Sequence, residues 1–262
     1  MHLARALAAA QTTPVPGDVE GNVTQHLALA ALAVSQGAKT VLFPELSLTG
    51  YELGRVLELA FSRGDPRLEP IRTFAEAEGV TLIVGAPLQL DSGLHIAALI
   101  VLPSGDVDVY TKHHLGAFSD SERSDGPVPP PERSVFVPGT ENPVLRCGHG
   151  RAGIAICADM SRPAHALGAA ERGSSTYLAS AFVIPPDYPA DAARLRYHAA
   201  RHRMTVVLAN YGGPTGGLSS AGRSAIWSET GALLVDLRES GAGVAIAVEA
   251  EGGWRTRASM LH

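Results

Sequence analysis

Three polar side chains with complementary chemistry each follow an apolar run of the sequence. The runs end at positions 43, 111 and 156, and Glu45, Lys112 and Cys157 stand directly after them or one residue beyond. Polar residues that follow strands at one edge of a sheet can share a pocket even when they are far apart in the chain. A thiol can attack a carbonyl carbon, a carboxylate can take the thiol proton, and a fixed cation can stabilise the oxyanion that forms. Together the three residue types predict acyl-transfer chemistry.

Each of these residues also has an ordinary structural explanation. Free cysteine is among the most buried residue types, so Cys157 alone is more simply a core residue. Glu45 after a proline suits a turn or a helix cap, and Lys112 suits a surface charge that closes a hairpin. Asn210 follows another apolar run, but an asparagine before Tyr-Gly-Gly is typical of a turn. Only the combination of thiol, carboxylate and ammonium favours chemistry.

The histidines and the second cysteine indicate no further chemistry. The chain has ten histidines, and none of them lies in a recognisable cysteine-protease signature. His149 and His165 do not have the spacing of a metal-ligand set with Cys147. We therefore expect neither a metal ion nor a cofactor.

Composition excludes several classes of protein. The chain has 262 residues, 45% of them hydrophobic and 18% charged, with a formal net charge of -5. This balance lacks the basic surface that binds nucleic acid or anionic membranes. The apolar runs are shorter than the about 18 residues of a membrane span, and the N-terminus makes a poor signal peptide. With only two cysteines, which suit a reducing compartment, we expect one cytoplasmic domain over residues 1–262 without nucleic-acid or membrane partners.

The order of predicted elements mixes βαβ units with β-hairpins. Apolar periodicity and turn residues predict helices at residues 23–36, 66–78, 164–172 and 190–202, and strands at residues 3–11, 40–43, 80–86, 94–102, 107–111, 135–137, 153–156, 176–181, 205–209, 224–227, 232–237 and 244–248. Asn22 is the expected N-cap of the first helix. Residues 119–131, as a loop or lid, and residues 210–222 are expected to be irregular. Two sheets packed face to face, with helices outside, would bury the many strands that are apolar on both sides.

Three segments of the sequence carry a family resemblance. They are FPELSLTGY at residues 43–51, YTKHHL at residues 110–115 and GIAICAD at residues 153–159. These segments resemble the three signature segments of the nitrilase superfamily of carbon–nitrogen hydrolases, in the family's order and at comparable intervals. The resemblance covers nearly the whole chain.

The resemblance implies a fold and three catalytic roles. The implied fold is an α/β four-layer αββα sandwich, with two mixed β-sheets face to face and helices outside, which associates into a homodimer or a larger homo-oligomer. Cys157 would be the nucleophile, Glu45 the general base and later the general acid, and Lys112 the residue that stabilises the tetrahedral intermediate. A backbone N–H near Ala158 would help to hold the oxyanion.

The resemblance also implies a second glutamate and a set of pocket walls. Many family members have a glutamate before a Pro-Gly turn, and PERSVFVPG at residues 131–139 matches that context, so Glu132 is the candidate. A solvated loop charge is the alternative for Glu132. We expect the walls of the substrate pocket to consist of Tyr51, Ala181, Phe182 and the loops at residues 119–131 and 212–218.

Two departures from the family pattern bear on the substrate. Many members have an arginine four positions after the nucleophile and a glutamate seven positions after it, where this chain has Ser161 and Ala164. Arg162 is shifted by one position and could bind a substrate carboxylate with two hydrogen bonds. A surface ion pair is the alternative for Arg162.

The predicted activity is hydrolysis of a small amide, of ω-amide or N-carbamoyl type, through a thioester on the cysteine, with release of ammonia or an amine. Nitrile hydrolysis at the same site is the alternative reaction, and a catalytically silent binding or scaffold protein is the alternative class. The three retained residue types favour an enzyme. Acyl transfer to lipoproteins would need membrane spans, and a glutaminase that feeds a synthetase would need a second domain, so we expect neither.

Overall fold

The computed structural model describes residues 4–118, 128–147 and 150–261, which contain thirteen strands and five α-helices. The helices are α1 Val19–Ser35, α2 Val56–Leu59, α3 Glu69–Glu78, α4 Pro163–Glu171 and α5 Tyr188–His202. The strands are β1 Ala6–Gln11, β2 Thr40–Leu42, β3 Thr81–Leu90, β4 Gly93–Val101, β5 Val107–Thr111, β6 Leu145–Cys147, β7 Gly150–Ile156, β8 Ser174–Ser180, β9 Thr205–Ala209, β10 Ala225–Trp227, β11 Leu233–Asp236, β12 Gly243–Ala250 and β13 Gly253–Met260. No helix within these ranges is long and apolar enough to cross a membrane.

The strands form two mixed sheets. The first has the order β13-β12-β1-β2-β3-β4-β5, and the second has the order β11-β10-β9-β8-β7-β6. In the first sheet β2 pairs in parallel with β1 and β3, and in the second β8 pairs in parallel with β7 and β9. The hairpins at the ends of both sheets are antiparallel.

Side chains that alternate along the strands build three apolar layers. Between the sheets, Leu42 and Ile83 of the first sheet share a cluster with Ile154 and Leu178 of the second. The opposite face of the first sheet packs against α1 and α3, and the opposite face of the second packs against α4 and α5. The predicted αββα sandwich is therefore confirmed. Leu167 and Tyr197 on the outer helices are 45% and 58% exposed; the homo-oligomer that would cover them stays a prediction.

The predicted start of the first helix is wrong by one turn. The helix begins at Val19, because the side chain of Asp18 accepts a hydrogen bond from Gly21 N at 3.0 Å and caps it. Asn22 lies inside the helix, where its buried amide bonds the backbone of Val15 and donates to Leu48 O at 3.1 Å. An asparagine that suits a cap thus holds two loops together instead.

Several strands differ from the prediction in length or presence. Residues 135–137 form no strand, and β7 begins three residues before the predicted residue 153. β3 continues four residues beyond Ala86 and includes Pro87. In this extension the outer edge of β3 is no longer paired with β2 and pairs with a loop instead. The N–H group that proline lacks is not needed for this pairing. β13 was not predicted. It is an exposed edge strand whose residues, such as Arg255 and Arg257, are largely polar. Most of the predicted loop or lid, residues 119–127, lies outside the described residues, as does His149.

The loop that carries Glu45 lies directly against β3. Leu48 N donates to Gly85 O at 2.9 Å, and Gly85 N donates to Ser47 Oγ at 3.1 Å. A Cβ atom at Gly85 would lie 2.3 Å from Leu46 N and 2.5 Å from Pro44 O. Both contacts are to backbone, which cannot move aside without displacing the loop, so this position requires glycine.

We therefore expect Gly85→Ala to destabilise the protein by about 3 kcal/mol, because the added methyl group overpacks a backbone contact. Gly64→Ala is the matched control, since Gly64 is exposed and a Cβ atom there would meet nothing within 4 Å; its effect should stay within about 0.5 kcal/mol. Urea unfolding monitored by circular dichroism measures both. Equal unfolding midpoints for the two variants would contradict the close approach.

Candidate active site

The predicted residues from three strand ends meet in one buried cluster. Lys112 Nζ donates to Glu45 Oε1 at 2.6 Å and to Glu132 Oε1 at 2.7 Å. The side chains of Lys112 and Glu45 are fully buried, and that of Glu132 is 1% exposed. Glu132 is therefore not a solvated loop charge, and Lys112 is not a surface charge.

Backbone hydrogen bonds fix the lysine and Glu45 in place. Lys112 extends the β5 ladder by one residue, since its N–H donates to Ile96 O at 2.9 Å and its carbonyl accepts from Gly139 N at 2.8 Å. The carbonyl of Glu45 accepts a hydrogen bond from the hydroxyl of Tyr211, which follows β9 in the second sheet. Both sheets thus contribute to the placement of the charged groups.

Cys157 stands at the tip of β7, in a conformation that is uncommon for a residue with a side chain. It opens a short 3₁₀ turn, Cys157–Ser161, and its φ is +45°. The residue is partly exposed, and its thiol donates a long hydrogen bond of 3.8 Å to Phe182 O. The thiol lies close enough to Glu45 to interact with it electrostatically.

Asp159 is a site residue whose contacts the sequence did not reveal. Its buried carboxylate accepts from Ile156 N at 3.1 Å and from Tyr110 OH at 2.7 Å through Oδ2. Through Oδ1 it accepts from His113 N at 3.2 Å, His114 N at 2.9 Å and His114 Nδ1 at 2.9 Å. The signal in the sequence is a carboxylate two residues after the thiol in an otherwise apolar run.

Glu132 joins the charged cluster to the neighbouring loop and to Tyr51. Its Oε1 accepts from Tyr51 OH at 2.7 Å as well as from the lysine, and its Oε2 accepts from Gly116 N at 2.6 Å. Gly116 also lies close to Ala158, because a Cβ atom at Gly116 would be 3.8 Å from the Ala158 methyl group. Tyr51 and Ala158, both predicted site residues, therefore border the cluster.

The buried charges shift one another's pKa values. Burial raises the pKa of Glu45 to about 7; the charge of Lys112 opposes this shift, and that of Glu132 adds to it. Burial alone would lower the pKa of Lys112, but the negative charges of Glu45, Cys157 and Glu132 raise it above its usual value. Burial, then the charge of Glu45, raises the pKa of the Cys157 thiol well above its usual value, while Lys112 opposes this. At neutral pH the lysine is charged and the thiol needs a base.

Glu45 is placed to be that base. Its Oε2 is buried without a well-aligned hydrogen-bond partner among the described residues. The Cys157 thiol is nevertheless close enough to act on Glu45 as a donor, which lowers the pKa of that carboxyl group. One carboxylate oxygen is thus held by Lys112, and the other is available to the thiol.

Aromatic rings pack together next to the cluster. Tyr51, Phe118 and Phe182 contact one another, with ring centroids 5.3 to 5.7 Å apart, and Tyr211 lies 5.5 Å from Phe182. Phe118 was not predicted as a wall residue, because nothing in its sequence context distinguishes it from any loop aromatic. The apolar rings suit an uncharged organic group.

The other predicted site residues lie elsewhere. Ala181 is buried in the apolar layer between the second sheet and the outer helices. Arg162 is exposed at the start of α4 and makes no side-chain hydrogen bond or ion pair within the described residues. The amide of Asn210 is buried and bridges Val183 and Gly222, so it fixes two loops of the second sheet. No group of three or more His, Cys, Asp and Glu side chains in the described ranges is placed to hold a metal ion.

Comparison with known families identifies the family of this chain. A family model described as carbon-nitrogen hydrolase matches residues 6–249. The chain belongs to the carbon–nitrogen hydrolase family. The resemblance in the three motif segments is thereby confirmed.

Relatives of this carbon–nitrogen hydrolase family member include both enzymes of similar size and longer ones. An amidase from Nesterenkonia sp. AN1, in a structure with covalent addition of the acetamide moiety of fluoroacetamide at its active-site cysteine, has a TM-score of 0.81 at 26% identity and covers 94% of this chain and 90% of its own. A probable nitrilase from Schizosaccharomyces pombe is 26% identical over 250 residues, which are 91% of this chain and 86% of that protein. A glutamine-dependent NAD(+) synthetase from Thermotoga maritima is 29% identical over 171 residues, which are 64% of this chain. The match spans only 28% of that synthetase's length.

We expect the two cysteines of this family member to differ in reactivity. Iodoacetamide should alkylate Cys157 at least about tenfold faster than Cys147 near pH 7, because only Cys157 is partly exposed and has a base beside it. Cys147 is 2% exposed, and burial raises its pKa to about 11. Peptide mapping by mass spectrometry measures both rates, with Cys157→Ala as the control that leaves only the slow reaction. Equal rates would mean that the thiol at the tip of β7 is not activated.

Proposed function

We propose that this chain hydrolyses a small amide through a thioester on Cys157 and releases ammonia or an amine. The observation that carries the proposal is the fully buried ammonium of Lys112, held between Glu45 and Glu132 beside the Cys157 thiol. A buried charge is costly unless it is closely paired, and a site that keeps one has a strong local field for stabilising an opposite charge. An oxyanion that forms at the reacting carbonyl is the group this ammonium would stabilise.

The first half of the reaction makes the thioester. Glu45 takes the thiol proton while Sγ of Cys157 attacks the carbonyl carbon, and the carbonyl oxygen becomes an oxyanion. An ammonium has three N–H donors, of which Lys112 gives two to the glutamates, so the third is available to the oxyanion together with the N–H of Ala158. Glu45 then gives its proton to the leaving nitrogen as the C–N bond breaks.

The second half returns the free enzyme. Glu45, again unprotonated, takes a proton from water, and the hydroxide attacks the thioester carbon. The second tetrahedral intermediate is held by the same donors. As its C–S bond breaks, Glu45 returns its proton to the sulfur, and the carboxylic acid and the free thiol result. A carboxyl group with a pKa of about 7 suits both the base and the acid steps at neutral pH. Glu132 keeps Lys112 in place throughout.

The walls of the site support an uncharged acyl group. Tyr51, Phe118 and Phe182 present apolar rings beside the cluster, whereas Arg162 lies at the surface. We therefore propose small aliphatic amides as substrates ahead of N-carbamoyl amino acids. The similarity to glutamine-dependent NAD(+) synthetases supports glutamine, an ω-amide, as a second candidate.

Ammonia release from aliphatic amides, glutamine, N-carbamoyl amino acids and nitriles tests the proposal. We expect activity on at least one amide and a loss of about a thousandfold or more in Cys157→Ala, because the nucleophile is gone. Cys147→Ala is the control and should keep activity within about twofold, since Cys147 lies outside the cluster. Equal turnover by Cys157→Ala and the wild type would overturn the assignment, and no turnover of any amide would favour the silent binding protein.

The pH dependence of kcat/KM should reflect the pKa of Glu45. Because the base must be unprotonated to act, the rate should fall about tenfold per pH unit below about pH 7. The negative charge of Glu132 raises the pKa of Glu45, so Glu132→Gln should move this acid limb to lower pH. The same change should reduce kcat about a hundredfold, since Lys112 loses an ionic partner. An acid limb that stays in place or moves to higher pH would show that Glu132 does not act on Glu45.

A further inference from the structure

Behind Asp159 runs a chain of three further side chains that the proposed mechanism does not use. Tyr110 OH, which bonds Asp159, lies 2.9 Å from Nε2 of His165. Nδ1 of His165 lies 2.9 Å from Tyr177 OH. His165 comes from α4 and Tyr177 from β8, so the chain leads from the outer helix layer to the turn that carries Cys157.

The direction of every hydrogen bond in this chain is determined. The carboxylate of Asp159 only accepts, so the single hydroxyl proton of Tyr110 points to it. Tyr110 must then accept from Nε2–H of His165. A neutral imidazole with its proton on Nε2 has an acceptor at Nδ1, which takes the hydroxyl proton of Tyr177.

The surroundings of His165 keep it in this neutral form. Burial lowers the pKa of His165 to about 4, and the charges of His113, His114 and Arg172 act in the same direction, against the single opposing charge of Asp159. His165 is 8% exposed. Its tautomer therefore follows from its partners, and all four groups of the chain are satisfied.

The chain ends on the carboxylate that ties two catalytic segments together. Asp159 bonds Ile156 N, directly before the nucleophile, and the N–H groups of His113 and His114, directly after Lys112. A rotation of this carboxylate would change the separation of Lys112 and Cys157. Tyr110 OH is one of only two side-chain donors to Asp159 within the described residues, and His165 holds that hydroxyl.

We propose that His165 is a positioning residue for the amide hydrolysis proposed above: through Tyr110 and Asp159 it sets the placement of Lys112 against Cys157. The competing explanation is a core histidine that only fills space and satisfies two tyrosines. The two explanations differ in whether His165 affects the position of Lys112. They therefore differ in whether a change at His165 shifts the acid limb of the pH profile of kcat/KM.

The test compares His165→Gln with His165→Leu. Glutamine keeps an N–H donor near the position of Nε2, and leucine fills similar space without a donor. Tyr110→Phe removes the linking hydroxyl and changes nothing else in size. His95→Leu is the control: His95 is also buried and bonded to a serine, but it lies on the opposite face of β4 from the cluster. Circular dichroism and the thermal midpoint establish that each variant is folded.

We expect His165→Leu and Tyr110→Phe to lower kcat about thirtyfold with KM changed less than about threefold. Their acid limb should move to higher pH, because a loosened Lys112 lowers the pKa of Glu45 less. His165→Gln should recover kcat to within about threefold of the wild type, and His95→Leu should stay within about twofold. If His165→Leu does not fold, Tyr110→Phe carries the same test.

An unmoved acid limb in Tyr110→Phe, or equal impairment of the glutamine and leucine variants, would overturn the positioning role. The rate of Cys157 alkylation by iodoacetamide and its pH dependence give the same comparison without any substrate. If the wild type hydrolyses no amide, the proposed function fails, while this alkylation comparison still decides whether His165 positions the site.

Discussion

The site depends on one interaction, the buried ammonium of Lys112 between two carboxylates. Taking these charges out of water costs on the order of several kcal/mol per ion, and the cost is offset only if each is paired at close range. The two contacts of 2.6 and 2.7 Å meet that condition. They leave one N–H of the ammonium for a further acceptor, and they keep a carboxyl group with a pKa of about 7 beside a thiol. Ammonium, carboxyl group and thiol are therefore coupled in a single cluster.

The rest of the fold fixes the residues of that cluster in place. Lys112 is fixed by the β4–β5 ladder, Glu45 by a loop pressed on Gly85, and Cys157 by a turn with positive φ. Contacts across the sheets, such as Ser180 Oγ to Phe43 O at 2.8 Å, join these supports. The strain at Cys157 is tolerated because Asp159 closes the turn from within.

Local patterns in the sequence predicted most of the strands and singled out the three strand-end residues. Apolar runs of four to nine residues gave the buried strands, and complementary residue types after them indicated the chemistry. Glu132 depended on the family resemblance, because its loop has no periodic pattern. The start of α1 was missed because Asp18 and Asn22 are both good caps, and only the tertiary contacts of Asn22 decide between them. The contacts of Asp159 and Gly85 could not be predicted. Both residues contact backbone groups that are distant in the sequence, and such contacts produce no periodic pattern.

If Cys157 is the nucleophile, its thiol carries the acyl group during turnover. To detect the acylated enzyme, the wild type is mixed with an amide that it hydrolyses and is quenched rapidly with acid. Mass spectrometry of the intact protein and of its peptides then locates the acyl group. We expect a transient mass increase equal to the acyl group, located on the peptide that contains Cys157 and removed by hydroxylamine. Product formation without any acylated species on this peptide, or an acyl group on another residue, would contradict it.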